Sequence, residues 1–70
     1  TIQSINVRNQ IKGTIQDIVQ GDVVSEADVV TASGVVTSVI TTRSVEEVDL
    51  QIGSPVLVLI KSTDVSLAKL

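Results

Sequence analysis

The chain has 70 residues, 43% of them hydrophobic, a formal net charge of −3, and no aromatic residue, Cys, His or Met. That length allows one domain, and a chain of about this size buries only about 60% of its unfolded surface, so its core is marginal alone. Disulfides and a Cys/His zinc site are excluded as staples, a single-stranded nucleic-acid groove lacks its stacking platforms and basic lining, and the net charge disfavours anionic membranes.

Val, Ile and Thr together make up 29 of the 70 residues. These side chains are stiff at χ1 and favour strands, so an all-β fold is expected. The first predicted strand covers residues 2–19, with alternation at Ile5–Val7 and again through Lys12–Gly13–Thr14–Ile15–Gln16. Gly13 in mid-run predicts a bulge or sharp bend, the device by which a small barrel turns its corner. Gln20–Gly21–Asp22 is a turn signal. Residues 23–31 form the second strand, with Val23, Ser25, Ala27, Val29 and Thr31 on one face and Val24, Glu26, Asp28 and Val30 on the other. Ala32–Ser33–Gly34 closes a hairpin to a third strand at 35–42.

Ser44–Val45–Glu46–Glu47–Val48 reads differently. Ser44 with Glu47 three residues on forms a capping box, so the pattern predicts one short helix at about 44–48. Gly53–Ser54–Pro55 makes a turn, and Val56–Leu57–Val58–Leu59–Ile60 reads as a strand buried on both faces. Val65–Ser66–Leu67–Ala68 alternates as a fifth strand. Five strands with a helix between the third and fourth predict a five-stranded OB-like Greek-key barrel over residues 1–70 as a single domain. A barrel of this length has no second layer for the outer face of residues 56–60, so a neighbouring subunit is expected to cover it. No apolar run approaches the roughly 18 residues of a membrane span, no signal-peptide pattern opens the chain, and a start at Thr1 instead of Met suggests processing or trimming.

Catalysis is not expected. The chain lacks His for acid–base work near neutrality and Cys as a nucleophile, and a Ser without a base partner is no triad. Asp22, Glu26 and Asp28 lack the pattern of a calcium loop, and Glu26 and Asp28 read as the solvated face of a strand. What remains is a set of hydroxyls, 7 Thr and 8 Ser, with a few isolated cations. Such donors suit small oxyanions. Three stretches qualify: Ile5 to Gly13 with Arg8, Ile40–Thr41–Thr42–Arg43–Ser44, and Ile60–Lys61–Ser62–Thr63–Asp64. A helix starting at Ser44 would add free N–H groups beside Thr41. Plainer readings stand beside each: Ser44 as only a cap, Thr41 as strand filler, Lys61 as a solvated charge and Arg8 as an edge-strand charge.

Taken together these stretches resemble a family. Asn6–Val7–Arg8–Asn9–Gln10–Ile11–Lys12–Gly13 is similar to the opening "SARNQLKG" signature of molbindins, small molybdate-binding proteins built from the Mop or TOBE-type domain. The likeness continues through Thr37–Ser38–Val39–Ile40–Thr41 and Ser44–Val45–Glu46–Glu47, and ends at Ile60–Lys61–Ser62–Thr63–Asp64–Val65, covering about residues 5–68. The resemblance implies an OB-like barrel that binds molybdate or tungstate in the cytoplasm, as a homo-oligomer, a hexamer arranged as a trimer of dimers, with anions held at subunit interfaces. It places the oxyanion ligands on Arg8, Thr41, Ser44 and Lys61, with Ser62 beside Lys61. The family's opening Ser falls on Asn6, a longer donor, and its small Ala on Val7, which narrows the pocket. With no attached domain in the chain, storage or buffering is the favoured role; a sensing module of a transport or regulatory system, or a purely structural assembly domain, is the alternative. Glu46 and Glu47 would repel a dianion, so Glu47 is expected to fold back on the cap and Glu46 to face water.

Overall fold

The computed structural model describes residues 7–70; expectations for residues 1–6, including Asn6, lie outside the described residues. The element order is β1 (Asn9–Gln20), β2 (Val24–Thr31), β3 (Gly34–Thr41), α1 (Thr42–Glu47) and β4 (Pro55–Ile60), followed by a single 3₁₀ turn at Ser62–Asp64. All three strand pairs are antiparallel, in the order β3-β2-β1-β4. The fourth strand returns beside the first, which is the Greek-key arrangement.

The long strand β1 organises the sheet. Its first half, Asn9 to Thr14, pairs with β4, and the stretch from Gly13 to Gln20 pairs with β2. Gly13 and Thr14 are therefore shared by both partners. A side chain at Gly13 would place its Cβ 2.5 Å from Val29 Cγ1 and 2.7 Å from the Val30 carbonyl oxygen. Only glycine lets the backbone of β2 come this close. The register shift itself lies between Ile15 and Asp17, not at Gly13. The extra residue is Gln16, and the bulge turns β1 just past the close crossing.

The core lies on one face of this sheet. Ile15, Ala27 and Val29 are buried there, with Ile18, Val56 and Val58 packed against them. The alternation predicted for the second strand is seen directly: Ser25, Ala27 and Val29 are buried, while Val24, Glu26 and Val30 are exposed. Helix α1 packs on β2 and β3 and buries Val45, worth about 1.5–3 kcal/mol on transfer scales. Its end is closed by a paired cap. The Leu50 N–H donates to the Val45 carbonyl, and the Asp49 N–H to that of Glu46, with Asp49 in the left-handed region at φ 53°.

Three expectations are corrected. The helix spans 42–47, not 44–48, and its N-cap is Thr41, not Ser44. Thr41 is extended (φ −67°, ψ 144°) and its side chain accepts from the Ser44 N–H, so the cap forms three residues earlier than the Ser–Glu spacing implied. The structure has four strands among the described residues, and residues 65–68 lie outside any strand. Their alternation is real, but no strand among the described residues pairs with that segment, and Val65 and Leu67 are exposed. Finally, the apolar run of β4 is only half-buried, and Leu59 is 41% exposed. A shallow apolar cleft of about 560 Å³, lined among others by Ile15, Val36, Ile40, Leu57 and Val58, remains open on the sheet.

Candidate functional site

The structure places the candidate residues in two clusters. The first is at the start of β1. Asn9 pairs with Ile60, so Arg8 and Lys61 each adjoin the last residue pair of the β1–β4 ladder. Two amide side chains hold this junction. The Asn9 Nδ2 donates to the Ile60 carbonyl at 3.1 Å, and the Gln10 Nε2 to the Val7 carbonyl at 2.8 Å. Lys61 is extended and caps the 3₁₀ turn, where the Asp64 N–H donates to its carbonyl at 2.9 Å. Arg8, Lys61 and Ser62 are exposed and Val7 is half-buried. The first and last sequence stretches are thus brought to one end of the β1–β4 ribbon by main-chain pairing, leaving both cations directed to solvent.

The second cluster is at the other end of the sheet. Thr41, the last residue of β3, pairs with Val24, one step beyond the Gln20–Ser25 pair that ends β1. The Thr41 and Ser44 hydroxyls lie 2.7 Å apart, and the Ser44 N–H donates to Thr41 Oγ1 at 3.1 Å. Each hydroxyl carries one proton. Whichever of the two donates to the other, one proton is left to point outward. The pair therefore offers an acceptor-only ligand one neutral donor in a fixed place.

The two clusters are not one site within a chain. β1 has 12 residues, which at about 3.3 Å each span roughly 36 Å of strand, and Arg8 and Thr41 lie at its opposite ends. The free N–H groups expected at the helix start are also mostly in use: the Thr42 N–H donates to the Val23 carbonyl and that of Ser44 to Thr41. The free donor at this end is therefore a hydroxyl.

Glu46 is exposed and accepts from Gln20 Nε2 at 3.4 Å. Glu47 does not fold back on the cap; it accepts from Arg43 Nε at 3.0 Å, an i,i+4 pair on the helix surface. Arg43 is therefore engaged, and the carboxylate is drawn down the helix. Among the described residues no group of three His, Cys, Asp or Glu could hold a metal ion, and no helix is long and apolar enough to cross a membrane.

Sequence reasoning gave Asn9, Gln10, Ser25 and Thr42 no role of their own. The first two stood in the quoted opening stretch, where an amide next to a strand start was the available signal. Ser25 Oγ and Thr42 Oγ1 are 2.7 Å apart in the interior, and Thr42 also donates to the Gly21 carbonyl at 2.7 Å. A Ser on the predicted buried face of the second strand was the only hint.

The comparisons with known proteins agree with one another. Residues 5–67 match the family model described as the TOBE domain. Molybdenum-pterin-binding protein 1 of Clostridium pasteurianum is 40% identical over 63 residues, covering 89% of this chain and 93% of the relative. The apo structure of MopII from the same organism superposes with a TM-score of 0.88 at 37% identity, covering 94% of this chain and all of the other. A molybdate-binding protein from Sporomusa ovata gives a TM-score of 0.91 at 30% identity, over 96% of this chain and all of the other. The four-stranded sheet with its short helix is thus the OB-like fold of these proteins, as the sequence implied.

Proposed function

Since this chain belongs to the TOBE-domain family, with relatives that carry the names of molybdate- and molybdenum-pterin-binding proteins, we propose that it binds molybdate or tungstate as an intact oxyanion at sites shared between copies of the chain. One copy contributes Arg8, Lys61 and Ser62, with Asn6 and Val7 beside them. The other contributes Thr41 and Ser44. The observation that carries this reading is the separation of the two clusters: the cations stand at one end of β1 and the fixed hydroxyl donor at the other. A small tetrahedral dianion needs both, and the contact of one copy's end with another's supplies them.

The apolar surface supports assembly. Val23 is 73% exposed, Val39 68% and Leu67 93%, and the cleft against β4 is open. So much uncovered aliphatic surface on a chain with four buried hydrophobic residues in its core among those described points to an oligomer. A hexamer built as a trimer of dimers is the proposed form. Binding at the interface then stabilises the assembly by mass action.

The dianion is acceptor-only at neutral pH, and the proposed ligand set supplies two cations and hydroxyl donors. Arg8 and Lys61 supply charge; Thr41, Ser44 and Ser62 supply short neutral donors. Neither His nor Cys is present to bind the metal centre directly, so the oxo ligands stay in place and the contacts are hydrogen bonds. The proposed role is storage and buffering of the anion in the cytoplasm, with no catalytic step; a cysteine-free chain fits a reducing compartment.

Calorimetric titration of the assembled protein with molybdate, tungstate, sulfate and phosphate tests the reading. Micromolar or tighter binding of the first two, with sulfate and phosphate far weaker, is expected. Absence of heat with molybdate and tungstate in an assembled sample overturns it.

A further inference from the structure

The geometry points to the buried Ser25–Thr42 hydroxyl pair as the positioning element that holds the Thr41–Ser44 donors in place for the anion. This inference rests on the reading of Thr41 and Ser44 as ligands given above. Ser25 is 1% exposed and Thr42 6%, and Ser25 is the largest fully buried side chain among the described residues.

The direction of the hydrogen bonds follows from proton counting. Thr42 uses its one hydroxyl proton on the Gly21 carbonyl at 2.7 Å, so at the 2.7 Å contact Ser25 donates and Thr42 accepts. The Thr42 N–H also donates to the Val23 carbonyl at 2.8 Å. Three bonds therefore fasten one residue to the β1–β2 turn and to β2. That turn is itself constrained: the Gly21 N–H donates to the Val24 carbonyl at 3.1 Å, and a Cβ on Gly21 would meet the same oxygen at 2.6 Å.

Thr42 is flanked by the donor pair. Thr41 precedes it and points to the surface, and Ser44 follows two residues later on the first turn of α1. Fixing the Thr42 main chain fixes the peptide between Thr41 and Thr42, and with it the direction of both exposed hydroxyls. Packing alone does not require polar atoms here. Two apolar groups of the same shape can replace a buried hydrogen-bonded pair at nearly no cost, and Gly21 lies at the surface, where water can take over its carbonyl. What an apolar pair lacks is direction.

This separates positioning from stability experimentally. Four variants of the assembled protein are compared: Thr42→Val, Thr42→Ser, Ser25→Ala and the double variant Ser25→Ala/Thr42→Val. Each is titrated with molybdate and sulfate by calorimetry and melted without anion. The double variant is expected to recover the melting temperature lost in Thr42→Val, yet to bind molybdate about tenfold more weakly than wild type, the loss equivalent to one hydrogen bond to a charged group, with a reduced preference for molybdate over sulfate. Thr42→Ser is expected to bind within about threefold of wild type, because it keeps the hydroxyl. Wild-type affinity and preference in the double variant overturn the inference while leaving the anion site intact. A wild-type protein that ignores molybdate overturns the site reading and this inference with it. If Thr42→Val and the double variant fail to assemble, Ser25→Ala decides: weaker, less selective binding supports the inference, and unchanged binding overturns it.

Discussion

The two ends of β1 solve different parts of one problem. At the Asn9 end, main-chain pairing and the Asn9 amide bring the stretches that carry Arg8 and Lys61 to one end of the β1–β4 pair, and both cations are exposed. At the Gln20 end, neutral hydroxyls are held by a cap, a turn and a buried polar pair. Charge without fixed direction attracts any anion; direction without charge attracts none strongly. Under the proposed function, combining them between copies would give both strength and selectivity, and would make assembly a condition for binding.

The close crossing at Gly13, between the two ends, gives the largest expected effect on folding. Gly13→Ala forces a Cβ against Val29 and the Val30 carbonyl, and overpacking of this kind costs about 1–3 kcal/mol, a large share of what so small a domain has. Loss of the folded state, or a steep fall in melting temperature by circular dichroism, is expected; a wild-type melt would mean that β1 and β2 need not cross so closely. Next come the cations. Arg8→Ala and Lys61→Ala should each weaken molybdate binding by about 1.5–3 kcal/mol, or roughly 12- to 150-fold, with little change in the melt without anion. Equal affinity in both would move the site away from this end.

Thr41→Ala tests the other end. It removes the helix cap and a proposed ligand hydroxyl together, so stability should fall by about 0.5–2 kcal/mol and molybdate affinity should fall as well. Ser44→Ala keeps the cap and should affect binding alone, so the pair of variants separates capping from ligation. The smallest effect belongs to the helix surface. Breaking the Arg43–Glu47 pair with Glu47→Gln should cost no more than about 0.3–0.5 kcal/mol, a difference that disappears at high salt. A large drop in anion affinity there would show that Arg43 reaches the anion.

Much of this was legible in the residues. The alternation of β2 placed Ser25, Ala27 and Val29 inward because a strand's period is two and one face must be dry. The turn at Gly21 and the hairpin at Ala32–Ser33 were marked by their turn residues. The cap was misplaced because Ser44 and Glu47 satisfy the spacing of a capping box, while Thr41, three residues upstream, does the capping from an extended backbone that spacing does not reveal. The fifth strand was misread because alternation reports a preference for strand, not the presence of a partner.

The sequence by itself determined the class of fold, the short helix and the inward face of β2, since these follow from β-branching and periodicity. Only the tertiary structure decided that the stretches carrying Arg8 and Lys61 meet at one end of the β1–β4 pair, that both lie a full strand away from Thr41 and Ser44, and that Gly13 serves a close crossing while the bulge falls at Gln16. Those relations depend on the register between strands, and register is set by contacts among residues distant in the chain.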